Sequence, residues 1–407
     1  MRIAFLLTQS LEGPGGAGRV LPMAKALARR GHAVKIIALH HDYAALAERR
    51  FRMDGVEVCY VGQMQVRKVG STKTYFSTPR LLWIVFLGFL RLAFEVLRTP
   101  ADIVQVCKAQ PMNLLAAYLK HLFQGTPIFL DSDDYERLNN RFKYRWQQEI
   151  VAWFERWAAT FCDGITVTNR FLYRFYRSLG YPEERLTLIP HGYDPLRFAV
   201  LDEPDAPERV AEIRARLGLA PGQKVVVFIG SVSLVCHAID LLLEAFPRVM
   251  QSVPGAALVI VGGGEAFYEM RALAQSLGTA RDVHFTGRVA RDEVPYYFRL
   301  GDASVDPKRE GELESAILPL KVVESLAAGV PCVSGDIGDS AEILGGAGVM
   351  VKPGSVDALA DGLIAVLRDE ALAAALRARA LERREAYSWE HMAAMLLGAY
   401  ARRGTRK

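Results

Sequence analysis

The sequence predicts an α/β protein made of two doubly wound parallel sheets in tandem. Short β-rich runs alternate with helical stretches, and the alternation stops in a polar, proline-containing stretch at 202–223 and then restarts. Several strands run directly into glycine turns. At 407 residues, with 51% hydrophobic and 23% charged side chains, the chain is globular and too long for one ordinary core.

The first set of strands is expected at 3–7, 33–39, 56–61, 103–107, 127–130, 164–168 and 186–189. Helices at 17–30, closed by Gly31, and at 147–161 separate them. Strands spaced by helices of this length pair in parallel through right-handed crossovers. Pro204, Pro207 and Pro221 punctuate the linker, and a second set follows at 224–229, 257–261, 283–285, 303–305, 332–334 and 348–351. A short helix before Gly329 carries Lys321 and Glu324, which share one face at a spacing of three. A long C-terminal helix is expected at 389–402. Residues 1–200, joined by 387–407, form the expected first domain, and 201–386 the second. Tandem sheets of this kind place strand C-termini where a ligand can be held.

Net charge is +5 with pI near 8.9, and no arginine-rich run interleaved with aromatics suggests nucleic acid as a partner. The mild basic excess favours anionic ligands or anionic lipid. Cys59, Cys107, Cys162, Cys236 and Cys332 are scattered without a CxxC pair, as expected of reduced, buried thiols in a cytoplasmic protein. Residues 1–10 read as a first strand and not as a signal peptide. Residues 81–90 are apolar apart from Gly88 and end at Arg91, half of a membrane span. Arg67, Lys68, Lys73 and Arg80 precede them and Arg98 follows. This suits a buried helix between two strands or an interfacial helix on an anionic leaflet, so 67–98 is a membrane-surface candidate.

The turns carry the chemistry. Gly13-Pro14-Gly15-Gly16-Ala17-Gly18 follows the first strand and satisfies GxGxxG literally, the fingerprint of a dinucleotide-dependent oxidoreductase. That reading leaves the whole second domain unexplained. Gly230-Ser231-Val232-Ser233, Gly262-Gly263-Gly264-Glu265 and Thr286-Gly287-Arg288-Val289 are further strand-to-helix turns with unhindered amides, suited to phosphate or a nucleobase. Lys321 beside Glu324 suits a nucleotide sugar, the cation meeting diphosphate and the carboxylate ribose hydroxyls. A plain surface ion pair is the bland alternative. Asp131-Ser132-Asp133-Asp134 ends another strand, as helix-capping residues or as groups that orient a hydroxyl, and DxD also suits a metal carried on diphosphate.

These motifs together resemble the retaining glycosyltransferases of family 4. The resemblance rests on GGxGR at 15–19, IPHGYDPLRF at 189–198, LVIVGGGE at 258–265, VHFTGRV at 283–289, KVVESLAAGVPCV at 321–333 and SWEHMAAMLLGAY at 388–400. It implies the GT-B architecture, two Rossmann-like domains facing across a cleft with the last helix crossing back to the first. It also implies transfer of a sugar, with retention, from a nucleoside-diphosphate sugar to a glycan, glycolipid or lipid-linked acceptor, without a divalent metal. Gly15, Gly16, Lys308, Arg309 and Lys321 would then face the leaving diphosphate and Glu324 the ribose. Gly263, Gly287 and Arg288 would line the nucleotide, and Asp131, Asp133 and Asp134 the reacting centre. His191 stands where the family often has asparagine. Three positions depart from the family: Ser231 and His237 stand near an expected arginine and lysine, and Ala316 replaces the first glutamate of the E-x7-E pair. A non-catalytic nucleotide-sugar or partner binder is therefore the alternative. Donor selectivity is expected around Ala316, Ile317 and Leu318, and the protein is placed in the cytoplasm or at the inner face of the membrane.

Overall fold

The computed structural model describes residues 1–13, 15–69, 72–139, 144–234, 237–316 and 320–402. The chain divides into two units, residues 1–190 with 389–407, and residues 191–388.

In the first unit, ten strands run β1 (Arg2–Leu7), β2 (Ala33–His40), β3 (Arg50–Met53), β4 (Val56–Gln63), β5 (Val66–Val69), β6 (Thr72–Tyr75), β7 (Ile103–Cys107), β8 (Ile128–Ser132), β9 (Gly164–Val167) and β10 (Leu186–Leu188). Eight form one sheet in the order β10-β9-β8-β7-β1-β2-β4-β3, parallel except for β3, and β5 with β6 forms a separate hairpin. Ile3 to Leu7 are at most 2% exposed because helices cover both sheet faces, which is why the strand is a continuous apolar run. The helices used below are α1 (Leu21–Arg29), α2 (Thr78–Arg98), α3 (Pro111–Gln124) and α4 (Arg145–Phe161). The chain winds one way from β1 to β2 and the other way from β7 through β9, so right-handed crossovers put α1 on one face and α3 and α4 on the other.

One strand was not expected, and one apolar segment had two readings. Strand β3 is a polar edge strand turned back onto β4 by Asp54 and Gly55, at φ 48° and 82°. Both residues are left-handed, as a two-residue hairpin turn demands, and Asp-Gly is its usual sequence. The apolar segment 81–90 is the middle of a 21-residue helix, α2, whose Leu82, Trp83, Phe86 and Leu90 are exposed, so the buried reading fails for that stripe. The buried residues of α2 are Gly88 and, in the C-terminal half, Leu92, Ala93, Glu95 and Val96.

The second unit is a six-stranded, all-parallel sheet ordered β13-β12-β11-β14-β15-β16. Its strands are β11 (Val225–Ile229), β12 (Ala257–Val261), β13 (Val283–Gly287), β14 (Ala303–Asp306), β15 (Cys332–Gly335) and β16 (Gly348–Val351). Helix α5 (Ile239–Ser252) follows β11, and α6 (Leu320–Ala328) precedes β15. Residues 191–200 belong to this unit: Tyr193 N–H donates to Tyr387 O. Helix α7 (Trp389–Ala401) returns to the first unit, where Tyr400 Oη donates to Gln105 on β7. Cys59, Cys107, Cys162 and Cys332 are buried free thiols, and Cys236 lies outside the described residues.

Candidate functional site

Each sheet reverses its winding once, between β1 and β7 in the first unit and between β11 and β14 in the second. Adjacent loops leave a parallel sheet in opposite directions at such a point, opening a crevice at the strand C-termini. A buried charge cluster occupies each of these two places.

In the second unit, β14 ends in Asp306, which is fully buried. Lys321, from the first turn of α6, donates from Nζ to Asp306 Oδ1 at 3.0 Å, and Lys308 Nζ lies 3.7 Å from Oδ2. Lys321 also lies over the Phe228 ring at 4.8 Å and donates to His237 Nδ1 at 2.9 Å. Burial and the neighbouring Lys321 push His237 down to about 2, so its imidazole is neutral. With Nδ1 accepting, its proton sits on Nε2, beside Gly230. Two ammonium groups therefore share one carboxylate, and Lys308 Nζ, 4% exposed as a residue, makes no hydrogen bond. Burial, followed by Asp306 and Lys308, sets Lys321, and the balance lowers it below the ordinary lysine range. Lys308 reaches this position because Gly335 leaves room; a Cβ there would lie 2.6 Å from Lys308 Cβ.

Glu324, one turn along α6, accepts from Arg197 Nη1 at 2.8 Å, and the two side chains are 12% and 13% exposed. Arg309 is half-exposed and forks onto Asp240 of α5. Ser231 and Arg288 are exposed. Helix α6 ends where Gly329, at φ 64°, closes the turn and Val330 N–H donates to Ser325 O.

The glycine turns of this unit are required first by packing. A Cβ on Gly262, at φ 139°, would lie 1.8 Å from Gly230 O, and one on Gly264 would lie 2.2 Å from Val232 O. The turns after β11 and β12 thus touch backbone to backbone, and Ser233 Oγ donates to Glu265 at 2.6 Å to tie them. Gly262 N–H donates to Gly287 O, which joins the turn after β13. A Cβ on Gly263 would meet only the Arg288 side chain.

In the first unit, Lys108 follows β7 at φ 69°, a left-handed conformation unusual for lysine. Asn113 holds that backbone by donating to Cys107 O and Lys108 O. The buried Lys108 ammonium sits among Asp133 at 3.4 Å, Asp134, and Glu136 at 3.0 Å. Burial alone would lower its pKa, but these carboxylates reverse that and keep it charged. Burial pushes Asp133 up to about 7 against the pull of Lys108. Asp134 is the more open of the two, 27% exposed against 8%. Gly15 abuts this cluster: a Cβ there would lie 3.4 Å from Lys108 Cε and 3.8 Å from Asp133 Oδ2. Gly16 crosses the preceding chain, its Cβ position 2.5 Å from Ser10 O.

Asp131 is committed elsewhere. Arg19, 1% exposed, donates from Nε and Nη2 to both Asp131 oxygens at 2.7 Å, and Thr166 adds a third bond. Arg19 also donates to Ile189 O and Pro190 O, so it anchors the glycine loop to β8 and to the end of β10. Asp133, Asp134 and Glu136 are close enough together to hold a cation, and the Lys108 ammonium is already among them. Glu12, His40 and His41 also cluster, but His40 Nδ1 accepts from Asp42 N–H, which leaves the proton on Nε2 and no lone pair for a metal.

Of the residues singled out in the sequence, the structure brings Lys308, Lys321 and His237 together around Asp306, while Asp306 and Arg197 were not among them. Lys108, directly after a strand, was a further candidate in the sequence on its position alone, and the structure places it among Asp133, Asp134 and Glu136. Ile317 and Leu318 lie outside the described residues.

Residues 15–192 match the glycosyl transferase 4-like domain and residues 210–383 the glycosyl transferases group 1 family. The chain belongs to the family-4-like, GT-B glycosyltransferases. It is 34% identical over 239 residues to the Mycobacterium tuberculosis GDP-mannose-dependent alpha-(1-6)-phosphatidylinositol monomannoside mannosyltransferase, covering 58% of this chain and 60% of that one. It is 28% identical over 264 residues to the Nocardia farcinica D-inositol 3-phosphate glycosyltransferase, covering 63% of this chain and 54% of the relative. The chain thus spans little more than half the length of these curated relatives. Two solved structures share its fold over nearly their whole length. Sucrose-phosphate synthase from Thermosynechococcus elongatus has TM-score 0.73 at 18% identity, with 98% of both chains covered. Anabaena HepE in complex with UDP-glucose has TM-score 0.72 at 18% identity, with 98% of this chain and 99% of that one covered.

Proposed function

We propose that this protein is a retaining glycosyltransferase that moves a sugar from a nucleoside-diphosphate donor onto a glycan or glycolipid acceptor. The observation that carries the reading is the surplus buried positive charge at the switch point of the second unit. Lys308 and Lys321 share Asp306, and an ammonium without a hydrogen bond is costly unless an anion completes it. A diphosphate supplies that anion, and His237 Nε2–H and the exposed Ser231 add neutral donors. Glu324 would take the ribose hydroxyls by exchanging its bond to Arg197. Arg309, Arg288, Gly263 and Gly287 stand as outer donor-side residues.

The first unit offers the opposite charge. Asp133 and Asp134, set by Lys108, would steady the positive character of the anomeric carbon or orient the acceptor hydroxyl beside Gly15 and Gly16. In the retaining step the anomeric C–O bond breaks, the diphosphate leaves with the electron pair, and the acceptor oxygen bonds on the same face. The acceptor's proton would pass to the departing phosphate oxygen, which gains negative charge as the bond breaks. A lipid-linked acceptor is supported by the phosphatidylinositol mannoside acted on by one relative and by the apolar-basic segment 67–98.

A non-catalytic nucleotide-sugar binder is the second reading, favoured by Ala316 in place of glutamate and by the Arg197 cap on Glu324. Incubation with UDP-, GDP-, ADP- and dTDP-sugars and sugar or lipid acceptors, with the product's anomeric configuration read by NMR, separates the two. A retained-configuration product supports the transferase. Nucleotide-sugar binding with neither transfer nor donor hydrolysis establishes the binder.

A further inference from the structure

No helix among the described residues is long and apolar enough to cross a membrane. The first unit nevertheless exposes aromatic side chains in an ordered way. On α2, Leu82, Trp83, Phe86, Leu90 and Phe94 are each between 43% and 59% exposed. At roughly 100° per residue they span about 120° of the helix circumference. Arg80, Arg91 and Arg98 fall together along one edge of that stripe, roughly 40–60° beyond Phe94.

A second stripe lies on α4. Trp146, Ile150 and Trp153 are exposed, with Trp157 half-buried next in line, at the spacing of one helical face. Helix α3 joins the two: Tyr118 packs edge-on against Trp157 at 5.2 Å, and Gly88 of α2 lies against Met112. The exposed Leu122 and Phe123 continue the layer at the end of α3. Four of the chain's five tryptophans stand on α2 and α4, and the fifth, Trp389, is buried.

The charge pattern selects the partner. Across α2 and α3 there is one carboxylate, Glu95, which is buried and bound to Arg50 and Lys35. On α4, Glu155 is buried and Glu149 faces Arg137 at 3.7 Å. Beside the end of α2 a hollow of about 400 Å³ is lined by Lys35, Arg50 and Arg98 around Glu95. The side chains of Lys68 and Lys73 are outside the described residues.

The geometry points to a membrane-binding face: α2, α3 and α4 seat their aromatic stripes in the interface of an anionic bilayer, with Arg80, Arg91 and Arg98 on lipid phosphates. A helix too charged to cross a bilayer, with an apolar arc and an arginine edge, lies in the interface plane. A protein partner would leave the one-sided absence of free carboxylates without a purpose. This inference needs no nucleotide sugar, so it stands or falls separately from the transferase reading.

The full chain, without nucleotide, is mixed with vesicles of phosphatidylcholine alone or with phosphatidylglycerol. Cosedimentation and a blue shift of tryptophan emission are expected only with the anionic vesicles, with quenching by brominated acyl chains. Trp83→Ser/Phe86→Ser is expected to abolish the partition while circular dichroism stays unchanged. Each Arg→Gln change at 80, 91 or 98 is expected to weaken it roughly fivefold. Absence of partition into either vesicle overturns the proposal. So does concentration-dependent dimerisation that Trp83→Ser/Phe86→Ser removes, since the face would then be a contact between copies.

Discussion

Replacing Lys308 with methionine separates stability from ligand binding at the donor cluster. Its ammonium lies 3.7 Å from Asp306 Oδ2. At that distance the attraction is about 4–5 kcal/mol for an effective dielectric of 20. Desolvating a buried ammonium costs several kcal/mol, and Lys308 recovers none of it through a hydrogen bond. The two effects nearly cancel, and Asp306 retains Lys321. Lys308→Met should therefore leave ligand-free stability within about 1 kcal/mol of the parent. A lost charge-assisted hydrogen bond to diphosphate is worth about 1.5–3 kcal/mol, or a rise in Kd of roughly 10- to 150-fold. Urea unfolding gives the first quantity and isothermal calorimetry with the preferred nucleotide sugar the second. A loss of more than about 3 kcal/mol with unchanged Kd would show that Lys308 is a structural partner of Asp306 and not a diphosphate ligand.

Glu324→Ala should cost about 2–3 kcal/mol of stability by stranding Arg197. The double variant with Arg197→Ala should recover much of it, and additive losses in denaturant melts would contradict the pairing. Gly264→Ala should destabilise the second unit by more than about 3 kcal/mol because Val232 O stands 2.2 Å from the new Cβ. Gly263→Ala should stay within about 1 kcal/mol, and equal melting temperatures for the two variants would show that the turns do not abut. Glu155 tests a titration. Burial, then Glu136, pushes its carboxyl from 4.5 up to about 8, so the folded chain keeps a proton that the unfolded chain has lost across that window. Its contribution is complete below the unfolded value and is lost as pH rises through about 8. Glu155→Gln should match the parent near pH 5 and be more stable near pH 9, and parallel stability-pH curves would rule out the raised value.

The buried strands were legible because a strand covered on both faces has to be apolar throughout, as Ile3–Leu7 and Val225–Ile229 are. Strand β3 was missed because Arg50-Phe51-Arg52-Met53 sits on an edge where polarity costs nothing, although Asp54-Gly55 marked the turn. The glycine turns were found, but a sequence cannot show that Gly262 is glycine because Gly230 lies against it. The Lys321 and Glu324 pair was visible through its helical spacing. Arg197, 127 residues from Glu324, was not, because ion pairs across folded elements leave no periodic trace. Asp306 looked like an ordinary strand-end residue, and only the fold shows two lysines closing on it. The aromatic stripe of α4 was hidden within an amphipathic pattern that also fits a core helix.

The surplus charge around Asp306 is proposed as a diphosphate site. Calorimetric titration of the parent and of Lys308→Met with UDP-, GDP-, ADP- and dTDP-sugars, with NAD as control, tests it most directly. One nucleotide class should bind the parent, binding should weaken at least about tenfold in the variant, and NAD should not bind. Binding of none of the four to the parent, or equal affinity in both proteins, would contradict it.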